Sequence, residues 1–201
     1  MARLTPQKRH LLDALADEFL HNYAQGRSLL AVDGPDGVGR DEFADALAER
    51  LRRRGHSASR ASIDGFQRSR AERHAKGADS AEGHYTDTYD YALFRRVLVE
   101  PFRLGGSAGF VTAAWDVARD APVEMAWQTA PRDATLVVDG RCLNRPELSG
   151  LWTYSLWLEP HGDALGAQAL YLAEADPRAR ASAIVDNADV DDPQRVFADS
   201  C

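Results

Sequence analysis

The sequence has little of what builds cross-linked or membrane-spanning proteins. Its 201 residues include only two cysteines, Cys142 and Cys201, too few for a disulfide framework or a cysteine-based metal site. The aliphatic runs, of which residues 29–32 are typical, are far shorter than the roughly 20 residues that a membrane helix needs. The opening residues MARLTPQKRH lack the apolar core of a secretory signal. We therefore expect a cytoplasmic protein without membrane contacts.

A surplus of basic residues is also absent. The chain has 24 Lys and Arg against 31 Asp and Glu, a formal charge of −7, which opposes non-specific binding to nucleic acids or acidic membranes. We predict no nucleic-acid partner. The local basic cluster of Arg50, Arg52, Arg53 and Arg54 falls where a helix should end. We interpret it as a solvated group facing the negative helix terminus.

Strand-like and helix-like segments alternate along the chain. This order predicts an α/β fold with a parallel sheet covered by helices on both faces. Thr5 and Pro6 can begin an N-terminal helix within residues 1–27 that stops near Gly26. A second helix should run from the following glycine-rich turn to Arg54, and Asp90 should cap a third that runs to about Glu100. Strand-like segments are residues 28–33, 59–64, 110–117, 135–139, 153–158 and 183–186.

Residues 65–89 form a long polar connection, and such connections are often functional. Between the last two strand-like segments, residues 160–180 leave room for one modest helix. No boundary divides the chain, so we predict one domain over residues 1–201.

A glycine-rich turn, VDGPDGVGRDEF at residues 32–43, lies between a buried strand and an amphipathic helix. The spacing of Gly34 and Gly39 is that of a phosphate-binding Walker A loop. Its glycines let backbone N–H groups surround phosphate oxygens at a helix N-terminus. The alternative is a glycine-rich turn without a ligand. The predicted nucleotide contacts are Gly34, Asp36, Gly37, Val38, Gly39, Arg40 and Asp41.

Two positions of this loop depart from the usual lysine followed by serine or threonine. Arg40 keeps the positive charge in a larger planar group. Asp41 removes the hydroxyl that usually ligates Mg²⁺, and with Asp36 it brings negative charge towards the expected phosphates. A carboxylate can itself ligate Mg²⁺, so Asp41 either carries the metal or excludes the nucleotide.

Five segments in order resemble the uridine kinase family of P-loop phosphotransferases, most closely its divergent members from GC-rich bacteria. They are DGPDGVGRDEFADALAERL, SIDGFQRSR, EGHYTDTYD, TLVVDGRCLNRPEL and LYLAEADPRARASAIVDNAD, and the resemblance covers most of residues 28–187. It implies a three-layer P-loop fold with a five-stranded parallel sheet, bound ATP and Mg²⁺, and a nucleoside or similar small alcohol as substrate.

The same resemblance implies roles for individual residues. Asp64 would accept the proton of the attacking hydroxyl, with Arg40 on the phosphates and Asp41 and Asp139 on the metal. Asp64 and Asp139 could each instead be an aspartate of a turn before glycine.

Four further residues are candidates for substrate contacts. Asp87 would hold ribose hydroxyls, or it is a polar residue at a helix entry. Asp116 and Trp115 would line the nucleoside pocket, although a tryptophan after a strand is as often part of the core. Arg119 is a substrate contact or a surface charge.

The phosphate-handling side departs from the family pattern in a third way. The arginine-rich lid of the family has no counterpart, because residues 161–168 contain no arginine and Arg178 and Arg180 match a region beyond it. The family's pocket histidine has no clean match either. Three interpretations stay open: a kinase, a pseudokinase that binds without transfer, and a structural protein whose N-terminal helix contacts a second copy in a homodimer.

Overall fold

The protein was analysed as a computed structural model, which describes residues 4–159 and 162–197. Its main sheet has six strands in the order β2-β5-β1-β6-β7-β8. Five of them are parallel, and β8 pairs with β7 in the antiparallel direction. These strands are β1 Arg27–Asp33, β2 Ser57–Ser62, β5 Ala134–Gly140, β6 Tyr154–Glu159, β7 Ala183–Asp186 and β8 Gln194–Val196; β3 Trp115–Asp116 and β4 Ala121–Pro122 form a separate hairpin.

Helices cover both faces of the sheet. Apolar side chains of α1, α2 and one face of the central strands form one core, and the segment after Tyr91 packs with the opposite face. The helices are α1 Pro6–Tyr23, α2 Arg40–Arg53, α3 Arg70–Arg73, α4 Ala81–Thr86, α5 Tyr91–Phe94, α6 Glu100–Leu104, α7 Ala167–Ala175 and α8 Pro177–Arg180. The predicted α/β fold with five parallel strands is confirmed; the antiparallel edge strand β8 was not predicted.

The central strand β1 lies between β5 and β6 and is buried along almost its whole length. Its register with β5 places Ser28 opposite Thr135, and the two hydroxyls are 2.8 Å apart. Asp33, at the end of β1, pairs in register with Gly140 of β5. The carboxyl ends of the parallel strands therefore meet at one edge of the sheet, where α/β proteins bind ligands.

Helix α1 begins as predicted, because the Thr5 side chain accepts a hydrogen bond from the Lys8 N–H and Pro6 occupies the first turn. Its apolar residues pack on α2 and β6. Glu18 accepts a hydrogen bond from Tyr154 at 2.6 Å and forms an ion pair with Arg195. The apolar face of α1 is thus covered by its own chain.

The basic cluster at the end of α2 is not merely a solvated cap. Arg50 Nε lies 2.8 Å from Asp13 Oδ1, and Arg54 Nη1 lies 2.9 Å from the same oxygen. Arg54 also pairs with Asp17. The cluster therefore joins α2 to α1, and our interpretation of these two arginines was wrong.

Residues 110–117 do not form the predicted strand. The N–H of Val111 donates to Val97, and that of Ala114 donates to Gly65. Phe110 makes one isolated bridge, with Gln128. The apolar pattern marks burial against the neighbouring helical segment, and only β3 retains a short pairing.

Two boundaries also differ from expectation. Strand β2 ends at Ser62, so Asp64 lies on the 3₁₀ turn Ile63–Phe66 that follows. Asp90 caps α5 through the N–H of Leu93 as predicted, but the helical segment continues through a π turn, Arg95–Val99, into α6. Pro101 lies within this continuous helical segment and has no N–H to donate; the Val97 carbonyl, four residues earlier, accepts from the N–H of Val111. Within the described residues, no helix has both the length and the apolar character that crossing a membrane requires.

Candidate functional site

The glycine-rich turn joins β1 to α2 at the carboxyl edge of the sheet. Gly39 precedes α2 with φ at 72°, a left-handed conformation that favours glycine. Val38 is buried, and its carbonyl accepts a hydrogen bond from Asn187 Nδ2 at 2.6 Å. Gly34, Asp36, Gly37, Val38, Gly39, Arg40 and Asp41 lie together on this turn and the first turn of the helix, as the spacing predicts.

Arg40 folds back over the turn. Its Nη1 donates to the Gly34 carbonyl at 2.7 Å, and its Nη2 donates to Asp36 Oδ1 at 3.1 Å. The arginine side chain is 11% exposed, whereas that of Asp36 is 69% exposed. The Arg40 guanidinium is therefore held at the turn by its own loop.

A second arginine, which the sequence did not single out, reaches the same carboxylate. Arg141 follows directly after β5, and its Nη1 lies 3.1 Å from Asp36 Oδ2. Burial disfavours the charged form of Arg141, but its hydrogen bond with the Tyr89 hydroxyl and the charge of Asp36 help to outweigh that effect, and the pKa of its guanidinium is raised. Asp36 thus lies between two guanidinium groups.

Tyr89 connects Arg141 to Asp64. Arg141 Nε donates to the Tyr89 hydroxyl at 3.4 Å, and that hydroxyl donates to Asp64 Oδ1 at 2.9 Å. Burial, together with the nearby charge of Asp64, raises the pKa of Tyr89 well above its ordinary value, so the hydroxyl keeps its proton. A continuous series of hydrogen bonds and ion pairs therefore connects Asp64 to the glycine-rich turn.

Asp64 is fixed through one oxygen. Gln67 Nε2 also donates to Asp64 Oδ1, at 2.9 Å. Among the described residues, no hydrogen bond to Asp64 Oδ2 is present. A half-buried carboxylate held in this way can orient a hydroxyl and accept its proton.

A cavity of about 310 Å³ lies beside this chain of contacts, between the loop and the helices α4 and α7. His84 lines the cavity, and the sequence did not single it out. Gln168 Nε2 faces a buried environment without a hydrogen-bond partner among the described residues. The cavity lining consists of Pro35, Asp36, His84, Tyr89, Arg141, Cys142, Leu165, Ala167 and Gln168.

Below the loop, Asp33 is fully buried. Its Oδ2 accepts hydrogen bonds from Tyr171 and from Asn144 Nδ2, the latter at 2.7 Å. Burial raises the pKa of Asp33 to about 6, against the opposing effect of these hydrogen bonds. Tyr171 belongs to α7, so Asp33 fastens this helix to the base of the loop.

The two predicted metal ligands have different surroundings. Asp41 is exposed in the first turn of α2, and carboxylate oxygens suit Mg²⁺. Asp139 is buried, with Oδ1 bound by Arg60 at 2.8 Å and Oδ2 bound by Ser62 at 3.1 Å. Within residues 4–159 and 162–197, no group of three or more His, Cys, Asp and Glu side chains could hold a metal ion. The role predicted for Asp41 therefore stays a prediction, and the role predicted for Asp139 requires that Arg60 release its carboxylate.

The four predicted substrate contacts do not line the cavity. Asp87 pairs with Lys76 at 3.2 Å, and Asp116 pairs with Arg119, which is 83% exposed. Trp115 and Asp116 form β3, which packs against the turn that carries Asp64. They are therefore near the proposed base but outside the cavity.

In the described part of the lid region, residues 162–168, no arginine approaches the cavity. After β6, described residues 162–166 lead into α7 without an intervening helix. Arg178 and Arg180 are exposed on α8, and Arg178 pairs with Glu159. Among residues 4–159 and 162–197, the arginines that contact the glycine-rich turn are Arg40 and Arg141.

Similar folds occur among solved kinase structures. One described as a possible uridine kinase from Bacillus stearothermophilus has a TM-score of 0.78 and 21% identity, covering 89% of this chain and 98% of its own. A candidate fructose transport system kinase from Silicibacter sp. has a TM-score of 0.61 and 21% identity, covering 85% of this chain and 92% of its own. No protein-family model and no curated protein sequence matches the chain. The structural likeness establishes the fold of the uridine kinase-like P-loop kinases, as the sequence predicts.

Proposed function

We propose that this P-loop kinase fold is a phosphotransferase that moves the terminal phosphate of ATP to the hydroxyl of a nucleoside or similar small alcohol. One observation carries the proposal: Asp64, a carboxylate with one oxygen held, is connected through Tyr89 and Arg141 to the phosphate loop. Tyr89 and Arg141 line the cavity, and the hydrogen bond from the Tyr89 hydroxyl joins Asp64 to it.

In the proposed reaction, Asp64 orients the acceptor hydroxyl through its second oxygen. The hydroxyl oxygen forms a bond to the γ-phosphorus while its proton moves to the Asp64 carboxylate. The bond from the γ-phosphorus to the bridging oxygen breaks, and its electron pair remains on ADP. Arg40 and Arg141 stabilise the negative charge on the transferred group, an electrostatic contribution that is often large in phosphoryl transfer.

Mg²⁺, bound with the nucleotide, would neutralise part of the charge on its phosphates, with Asp41 as the carboxylate ligand from this chain. The cavity volume of about 310 Å³ lies at the low end of the roughly 300–1,000 Å³ of small-molecule sites. That size favours a small acceptor. His84 and the free Gln168 Nε2 supply polar contacts for its hydroxyl groups.

The test is ATP consumption with a panel of nucleosides and small alcohols. Asp64→Asn should lower kcat about 10²–10⁴-fold without weakening ATP binding. Asp79→Asn, which removes an exposed carboxylate outside the site, should leave kcat unchanged. The proposal fails if no acceptor consumes ATP, or if the Asp64 variant retains full kcat.

A pseudokinase is the second candidate, favoured by a different observation. Arg40 binds its own loop at the Gly34 carbonyl and Asp36, and Asp139 is occupied by Arg60. If transfer has been lost, the double change Arg40→Lys with Asp41→Thr should strengthen nucleotide binding but restore little turnover. Full turnover in that variant would contradict this candidate.

A further inference from the structure

The Asp36 carboxylate lies between the guanidinium groups of Arg40 and Arg141. Its two carboxylate oxygens each lie 3.1 Å from a different guanidinium, one of Arg40 and one of Arg141. Guanidinium groups bind phosphate oxygens with the same planar geometry that they use for carboxylates. The Asp36 carboxylate therefore occupies the place that a phosphate would take between these arginines.

The burial of the three side chains is unequal. Arg40 is 11% exposed and Arg141 is 24% exposed, whereas Asp36 is 69% exposed. Both arginines have further fixed partners, the Gly34 carbonyl and the Tyr89 hydroxyl. The cations are thus held in position by the fold, and the carboxylate is the partner that solvent can reach and replace.

The Arg40 side chain has one more donor to offer. Its Nε is buried and makes no hydrogen bond to any described residue. Arg40 can therefore gain a contact if an anion with more oxygens than a carboxylate enters. A phosphate group of an oligophosphate has these additional oxygens.

We infer that Asp36 is a built-in competitor for the phosphate site: an oligophosphate binds Arg40 and Arg141 by displacing the Asp36 carboxylate. Arg141 then supplies a phosphate contact from the end of β5, whereas residues 161–168, at the place of the lid, contain no arginine. This inference rests on the proposed function, because it concerns the same phosphate loop. It adds the expectation that a single residue, Asp36, lowers the affinity of this loop for phosphate.

The experiment measures the dissociation constants of inorganic tripolyphosphate and ATP by calorimetry, with Mg²⁺ and with EDTA. Asp36→Asn preserves the shape of the side chain and removes its charge, so it should tighten tripolyphosphate binding about tenfold or more. Arg141→Gln should weaken it about tenfold. The matched controls Asp79→Asn and Arg180→Gln change exposed residues outside the site by the same charge, and each should stay within about twofold of the parent protein. Thermal unfolding confirms that each variant is folded.

Two results overturn the inference. One is a tripolyphosphate affinity of Asp36→Asn that equals that of Asp79→Asn, including the case in which neither binds. The other is weaker binding by Asp36→Asn only when Mg²⁺ is present, because Asp36 would then be a metal ligand. Measurements of turnover distinguish the two proposals. If the enzyme is active but Asp36→Asn leaves the affinity for tripolyphosphate unchanged, only this inference is rejected. If the protein shows no turnover but Asp36→Asn binds tripolyphosphate more tightly, the inference is supported and only the proposed kinase activity is rejected.

Discussion

Arg60 Nη2 lies 2.8 Å from Asp139 Oδ1, where the carboxyl ends of β2 and β5 run side by side. The Asp139 side chain is 4% exposed, and its two oxygens contact this arginine and the Ser62 hydroxyl. The sequence predicts that Asp139 is either a metal ligand or a turn aspartate before Gly140. In the structure, the cation that contacts this carboxylate is the Arg60 guanidinium.

Removing the Arg60 guanidinium should destabilise the protein and leave the Asp139 carboxylate free to bind another cation. We expect Arg60→Ala to lower the free energy of unfolding by about 3 kcal/mol, because it leaves a buried carboxylate unpaired. Added Mg²⁺ should then raise the melting temperature of the variant more than that of the parent protein. Arg60 also pairs with the exposed Asp45, so Asp45→Ala is the control, with an expected loss below about 1 kcal/mol. An equal effect of Mg²⁺ on both proteins would contradict the expectation that Arg60 substitutes for a cation.

Asn187 should hold the phosphate loop in shape, because its Nδ2 binds the Val38 carbonyl across 149 positions of sequence. Asn187→Ala removes a buried hydrogen bond, which should cost about 1–2 kcal/mol of stability and weaken tripolyphosphate binding. Calorimetry and urea unfolding measure the two effects. Asn22→Ala removes a comparable amide contact at the exposed end of α1 and should change neither. If Asn187→Ala binds tripolyphosphate as tightly as the parent protein, the hydrogen bond of Asn187 does not hold the loop in its binding conformation.

Asp33 should make stability depend on pH. Folding raises its pKa from 3.8 to about 6, so the folded chain binds more protons than the unfolded chain between these values. The contribution of this group to stability is therefore complete below about pH 4 and is lost as the pH rises through about 6. An NMR titration of the Asp33 side chain tests the pKa, and unfolding at several pH values tests the sign.

Tyr171→Phe should raise the pKa of Asp33 further and lower the free energy of unfolding by about 1–3 kcal/mol. Tyr23→Phe, which changes a half-exposed ring outside this contact, is the control.

Gly140 should be intolerant of any side chain. A Cβ at this position would lie 2.1 Å from Ile63 Cγ2 and 3.0 Å from Ile63 Cβ. Gly140→Ala should lower the free energy of unfolding by about 1–3 kcal/mol through overpacking. The same change in an Ile63→Ala background should cost less, because the nearest methyl group is gone. Equal costs in both backgrounds, measured by denaturant unfolding, would show that the contact with Ile63 is not the cause.

The sequence predicts the fold because its signals are local and repeated. The run before Gly34 is apolar and short, the helix after Gly39 has a clear apolar face, and Thr5 and Asp90 cap helices as expected. Residues 110–117 show the limit of this reasoning. An apolar segment reports burial, but which neighbour accepts its hydrogen bonds is decided by tertiary packing.

The candidate site was predictable only in part. The glycine spacing located the loop, and the segment SIDGF located Asp64. Arg141 follows a predicted strand that ends in an acidic residue, so its position at the ligand-binding edge could have been recognised. Nothing in the sequence indicated that it pairs with Asp36, because that contact spans 105 positions. Tyr89, between Arg141 and Asp64, likewise depends on three-dimensional proximity.

The place of β1 in the sheet has a consequence for synthesis on the ribosome. Both hydrogen-bonding neighbours of this strand, β5 and β6, come much later in the chain, and Ser28 meets Thr135 across 107 positions. A nascent chain carrying β1 and the phosphate loop therefore has no partner strand for either edge during most of translation. Because contacts of such long range form slowly, the loop can acquire its shape only after most of the polypeptide has emerged.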